Sequence, residues 1–365
     1  MLKFQWSMSR TDLDFRWGRR SLPVSKAEGH LIAQKGHLLL QHILNTLDAS
    51  TILARLDDRL AAAAPSVRTG WIQRALIYEA VASLRLDGSY VSAHDLVLRL
   101  NNTLNRVPDQ DLGRATDIHG MLSTLIRQNP RHLFKAQRVL ALTRLRLQSR
   151  VVDHPDLPDW LQNRIHTPEE MSVALEDALP PSVVSGWESL PPVNAAAEII
   201  ANWHKSRAAE RIGAAAGRAL AMAWLYRAGL TSSYCLLPSI GFLGAALEYR
   251  PDFAVSWPEK FLKACSRAAE WGFKLHTHLT LAHRRLRDAA PQRRSTSHMA
   301  ALIDLLISTP AVSASGVSRS LDIKPYAART MLHALEDRGL VREMTGRGSF
   351  RLYAAASLDL AGANL

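Results

Sequence analysis

The sequence is short of most features that would mark a secreted, membrane-bound or metal-dependent protein. Only two cysteines occur in 365 residues, Cys235 and Cys265. Both sit in apolar helical surroundings and are expected as buried, reduced thiols rather than a disulfide. Met1 to Arg10 has no apolar core for a signal peptide. No uncharged apolar run reaches membrane-spanning length, the best being broken by Arg218 and Arg227. The chain is therefore expected to be cytoplasmic, with no membrane partner. His276, His278 and His283 lie close in sequence, but helix positions two apart point to different sides. No carboxylate or thiolate completes a set there, so neither a metal nor a cofactor is expected. Walker-type loops and Gly-x-Ser-x-Gly elbows are absent, which removes two common routes to catalysis. Internal repeats are absent too, and strand signals are almost lacking before residue 295.

Positive charge is what the chain has in excess. Lys and Arg number 45 against 33 Asp and Glu, a formal net charge of +12, with an isoelectric point near 10.1. Such a balance suits a polyanionic partner. The distribution says more than the total. Lys260 to Arg294 holds nine Lys and Arg against two acids, whereas Ser295 to the end holds seven against six. Arg284, Arg285, Arg287, Arg293 and Arg294 thus form a basic tract suited to a phosphate backbone without regard to sequence.

At this length two or three domains fit. Residues 1–60 read as an irregular arm followed by helices, with apolar residues at helical spacing from Leu38, Leu39, Leu40 and Ile43 through Leu60. Residues 61–294 read as an all-helical body, with helices expected near 67–86, 92–100, 113–128, 131–150, 195–230, 234–249 and 257–287. Leu-rich and Ala-rich stripes along the helices of both regions are expected as core. Within the body, 151–194 carries seven prolines and reads as a structured connector interrupted by one short helix. That helix is marked by a cap, a first-turn proline and a glutamate at Thr167-Pro168-Glu169-Glu170. Residues 357–365 are left as a tail.

The most informative stretch is 295–356. Leu302, Ile303, Leu305 and Leu306 give one helix an apolar face, closed by Thr309-Pro310. Ser313 can cap a second helix carrying Val317 and Leu321 inward. After Asp322-Ile323-Lys324, Pro325 stands where a helix has no use for an N–H. This third helix is expected to bury Ala328, Met331, Leu332 and Leu335 and to stop at Gly339. Residues 340–344 and 349–353 alternate like strands around Thr345-Gly346-Arg347-Gly348. That order resembles the winged helix-turn-helix family of DNA-binding domains, with Asp322 in place of the usual turn glycine. The third helix leaves Lys324, Tyr326, Arg329, Thr330 and His333 facing outward, toward where base edges would lie. Arg347 and Arg351 on the wing suit phosphate or minor-groove contact.

Two blocks of the body resemble the Fic family of nucleotidyl transferases, all-helical proteins that often end in a winged helix. Ser83 to Gly88 is similar to the inhibitory helix of that family, with Asp87 in place of its glutamate. Gly217 to Leu230 is similar to the helix that closes the active-site motif, with Arg218 in the final arginine slot. The resemblance implies that Asp87 and Arg218 pair as a structural remnant. It also implies lost chemistry. The motif His-Pro-Phe-x-x-Gly-Asn-Gly-Arg-x-x-Arg would put its histidine at Arg207, and its Gly-Asn-Gly-Arg run at Ile212, Gly213, Ala214 and Ala215. His204 falls three residues early, with no glycine-rich anion nest behind it. The layout further resembles an uncharacterised rhizobial plasmid family, in which a large helical domain of unknown function precedes a helix-turn-helix.

The combined expectation is a mostly α protein: a degenerate Fic-like helical body and a C-terminal winged helix-turn-helix. It is expected to be no enzyme but a sequence-specific reader of double-stranded DNA that regulates transcription, with a homodimer possible. Two rivals stand beside this reading. One is a divergent Fic-type nucleotidyl (AMP) transferase; the other is a protein-interaction module that uses the winged helix.

Overall fold

The computed structural model describes residues 26–104, 109–142, 168–251, 256–290, 298–346 and 350–358. The chain divides into two compact units, 1–43 and 44–365. Of the first, the described residues form the beginning of one long helix, α1 (Lys26–Ala61). Leu38, Leu39, Leu40 and Ile43 are exposed on it, contrary to the expectation that Leu-rich stripes turn inward. The irregular arm otherwise lies outside the described residues.

Among its described residues the second unit is helical up to its C-terminal segment, and proline sets where many of these helices begin. Pro65 opens α2 (Pro65–Leu86) and is followed in the chain by α3 (Ala93–Leu100) and α4 (Gln110–Leu125). Then come α5 (Pro168–Ala178), α6 (Pro181–Glu188), α7 (Pro192–Lys205), α8 (Ala208–Arg211) and α9 (Ala214–Arg227). After them stand α10 (Pro238–Gly244) and the long α11 (Trp257–Ala289). Five of these start on proline, whose fixed φ is helical and whose missing N–H is not needed in the first turn. The same fact corrects the connector reading, since the described part of 151–194 consists of short helices begun by Pro168, Pro181 and Pro192. The expected 131–150 helix becomes a 3₁₀ turn at Pro130–His132 and helix at 136–142, where the described segment ends. The expected 234–249 helix shrinks to α10.

α2 is the helix around which the body packs. Its residues from Ala75 to Leu84 are buried without a break, and α4, α10 and α11 all lie against it. Trp71 anchors one side by donating its indole N–H to the Gly272 carbonyl at 2.9 Å. Glu79, 1% exposed, accepts from the backbone N–H of Ser239 at 2.9 Å and of Ile240 at 3.2 Å. A carboxylate there satisfies the open amides of the first turn of α10. Burial pushes its pKa up to about 7, against the pull of those same hydrogen bonds.

The C-terminal segment comprises α12 (Met299–Ser308), β1 (Val312–Ser313), α13 (Ala314–Leu321), α14 (Pro325–Glu336), β2 (Val341–Glu343) and β3 (Leu352–Ala355). The strands form an antiparallel sheet in the order β1-β3-β2. Val312 pairs with Tyr353, and Glu343 pairs with the same residue from the other side. β1 has no counterpart in the sequence reading, because two residues are too few to show alternation. β3 starts three residues later than expected, since Phe350 turns out of the ladder with φ +55°.

Candidate nucleic-acid interface

α13 and α14 are set by local chemistry. The Ser313 hydroxyl accepts from the Gly316 N–H at 3.0 Å and caps α13. At the turn, Asp322 takes the left-handed conformation, φ 51° and ψ 50°, one that Asp tolerates better than most residues. Ser318 pins the turn: its hydroxyl donates to the Ile323 carbonyl at 2.6 Å, and its own carbonyl accepts from the Ile323 N–H at 3.1 Å. Lys324 then occupies the cap position of α14, with Pro325 in its first turn. Gly339, at φ +65°, releases the chain from α14 into β2.

This construction buries Ala328, Leu332 and Leu335, with Met331 only partly covered. Lys324, Tyr326, Arg329, Thr330 and His333 are all exposed. Tyr326, Arg329, Thr330 and His333 recur at helical spacing and share one outward face. The Thr330 hydroxyl donates to the Tyr326 carbonyl at 3.0 Å. His333 Nδ1 lies 3.2 Å from Glu336 Oε2, and its ring stands edge-on to Tyr353 of β3 at 6.3 Å. The start of β3 therefore borders the third turn of α14.

In the hairpin, Glu343 accepts from the backbone N–H of Thr345 at 2.7 Å and of Gly346 at 2.8 Å, and from the Thr345 hydroxyl. Burial would raise its pKa, but those donors and the charge of Arg351 outweigh it and hold the carboxyl below its usual value. Arg351 is exposed. Arg347 lies outside the described residues.

The basic tract divides into different roles. Arg284 and Arg285 are exposed near the end of α11 and make no ion pair with any described residue. Arg287 is exposed as well but also reaches Asp304 of α12 at 2.9 Å, beside His283 at 2.8 Å from the same carboxylate. Ser66 of α2 donates to it as well, at 3.1 Å. Burial would raise the pKa of Asp304, but the hydrogen bonds from Arg287, Ser66 and His283 lower it overall. Arg293 and Arg294 lie outside the described residues.

Sequence reasoning missed the residue that fastens α12 to the body. Arg74 of α2, 2% exposed, donates to the carbonyls of Ile307 at 2.7 Å, Thr309 at 3.0 Å and Leu306 at 3.4 Å. A fourth bond, at 3.2 Å, stays within α2 at Gly70. The guanidinium thus closes the C-terminal end of α12, where carbonyls are open and the helix dipole is negative. Gly70 is required there, because a Cβ would sit 2.1 Å from the Ile307 oxygen. The available signal was position. Arg74 shares a helix face with Val67, Trp71, Tyr78 and Val81, all of them buried. A second tie to the body comes from Arg338, which donates to the Ala289 carbonyl of α11 at 2.8 Å.

Deep in the body, Arg218 of α9 is 1% exposed and donates to Asp87 at 3.1 Å. It also reaches the Ser83 hydroxyl at 2.5 Å and the Ser83 carbonyl at 3.2 Å, and stands 5.1 Å from the centre of the Tyr249 ring. Arg114 approaches the other Asp87 oxygen at 3.9 Å. His204 lies at the end of α7, with Nε2 3.3 Å from the Tyr249 hydroxyl. Gly213 precedes α9 at φ +114°, and Ala214 and Ala215 open that helix.

Among the described residues no group of three or more His, Cys, Asp or Glu could hold a metal ion, and no helix is long and apolar enough to cross a membrane. Both cysteines are buried and free.

Residues 299–354 match the family described as "HTH DNA binding domain". Over most of its length the chain is similar to the uncharacterized protein y4cF of Sinorhizobium fredii (strain NBRC 101917 / NGR234). The two are 27% identical over 369 residues, covering 84% of this chain and 94% of that relative.

Proposed function

We propose that the protein is a sequence-specific reader of double-stranded DNA that regulates transcription from the cytoplasm, and that its helical body carries no catalysis. The match of 299–354 to a DNA-binding helix-turn-helix family carries this reading. It is supported by the exposed row on α14 and by the exposed Arg284 and Arg285 on the neighbouring α11. In this reading Tyr326, Arg329 and Thr330 face base edges in the major groove. Arg351 at the wing and Arg284 and Arg285 on the body meet phosphates, positioning the duplex without reading it.

The two roles separate under mutation. Arg329→Ala should weaken binding to a preferred duplex by about 1–3 kcal/mol and relax selectivity at one base position. Arg285→Ala should weaken preferred and random duplexes alike and reduce the salt slope by about one. Binding isotherms on both duplexes at several salt concentrations read this out. Equal losses from both variants on both duplexes would remove Arg329 from base reading.

For the body, we read the Asp87–Arg218 contact as a remnant of a Fic-like arrangement without its chemistry. The slots that would cradle phosphates hold Ile212, Ala214 and Ala215, and the histidine slot is Arg207. Incubation with ATP and a hydroxyl-bearing target protein is expected to leave the target's intact mass unchanged. A nucleotidyl mass gain that disappears in His204→Ala would establish the enzyme instead.

A further inference from the structure

The two most exposed large apolar side chains among the described residues are Tyr326 and Phe350, each at 79%. Tyr326 sits in the first turn of α14, where an amphipathic ring is unremarkable. Phe350 is a different case. In a continuous strand, residues two apart share a face, and Leu352 is 1% exposed. An extended backbone at 350 would therefore turn the phenyl ring to the side on which Leu352 is buried. The chain instead adopts φ +55° at this residue, a left-handed conformation that is an outlier for a bulky side chain. Phe350 is thus held in a strained backbone and leaves its ring in water. Both features work against the free protein, and both are offset if the ring enters an apolar site on a partner.

Its surroundings say which partner. Arg351 follows directly in the chain and is exposed, so a cation adjoins Phe350 in the sequence of the wing. Three residues after Phe350, Tyr353 packs against His333 of α14, so this end of the hairpin borders the outward row of the helix-turn-helix. An apolar ring with a neighbouring cation, alongside a helix in the major groove, has the chemistry of a wedge between base pairs. In such contacts the ring replaces part of the base stacking, while nearby cations hold the phosphates.

We propose that Phe350 inserts between two base pairs in the minor groove flanking the recognition site and kinks the duplex there. The wedge rests on the DNA-binding reading above. It favours pyrimidine–purine steps, which unstack most easily, and so adds sequence preference at positions that α14 does not touch.

The test uses the full chain and a preferred duplex labelled at both ends for energy transfer. The parent protein is expected to bend the duplex by roughly 20–90°. Phe350→Asn, which accommodates the left-handed backbone without a ring, should bring the bend below about 20° and weaken binding about tenfold. Phe350→Leu, which keeps an apolar wedge, should retain most of the bend. If the parent binds but leaves the duplex straight, or Phe350→Asn bends it as the parent does, the wedge is overturned and the DNA-binding reading stands. If the parent binds no duplex, both fall.

Discussion

Arg74→Met is expected to destabilise the protein by roughly 2–5 kcal/mol and to loosen α12 from the body before the rest unfolds. Arg74 lies in the interior with carbonyl oxygens as its hydrogen-bond acceptors. Three of these carbonyls belong to the end of α12 and its exit. Hydrogen bonds to a charged donor contribute about 1.5–3 kcal/mol each, so the three together outweigh any single apolar contact nearby. The charge itself is costly to bury, which lowers the Arg74 pKa to about 10. Methionine is relieved of that desolvation. Methionine also fills much of the volume, which keeps the cavity term small. The bonds still win, because their loss leaves the Ile307 and Leu306 carbonyls without that donor in the contact where Gly70 admits no side chain. Denaturant unfolding gives the total, and hydrogen exchange at 302–309 reports the local loosening. A change below about 1 kcal/mol, within the range of ordinary surface substitutions, would mean that Arg74 does not fasten the segment.

Asp87→Ala is expected to cost about 2–4 kcal/mol, and the Asp87→Ala, Arg218→Met double variant less than the two single changes added together. Removing one partner of a buried ion pair typically costs 3–5 kcal/mol, because the other charge is stranded. Two features pull this case toward the lower end. The Asp87 side chain is 21% exposed, and Ser83 keeps two acceptors on the guanidinium after the carboxylate is gone. Arg114, at 3.9 Å, loses a partner too, but it is exposed enough for water to replace it. A double-mutant cycle isolates the pair. A coupling energy of about 1.5 kcal/mol or more is the expected value, and a value near zero would reduce the contact to coincidence.

Much of the C-terminal segment was legible because its signals are local. Ser313 caps the helix that follows it, Asp322 takes the left-handed turn, and Pro325 opens α14; each acts within four residues of itself. The Asp87–Arg218 contact could be expected only through family resemblance, since nothing in the spacing of residues 131 apart brings them together. Arg74 was hidden for a related reason. Three of its four acceptors lie more than 230 positions away, and an arginine held by backbone carbonyls leaves no acidic partner to find in the sequence. Arg287 shows a different gap. It was grouped with Arg284 and Arg285 by composition and is exposed as they are, but it also reaches Asp304, a contact that composition does not reveal. The proline-rich stretch misled because proline signals both connectors and helix starts. Phe350 was read as part of a strand because alternation is blind to a single left-handed residue. In each of these cases the missing information was tertiary.

The central claim is that α14 reads duplex DNA. The most direct measurement is selection of duplexes from a random pool by the full-length protein, followed by titration of the enriched duplex and a scrambled one across a range of salt. A DNA reader should enrich one shared motif and bind it at least about 10³-fold more tightly than the scrambled duplex. Its log affinity should also fall linearly with log salt. A pool that stays random, or equal affinity for both duplexes at every salt concentration, would contradict the claim.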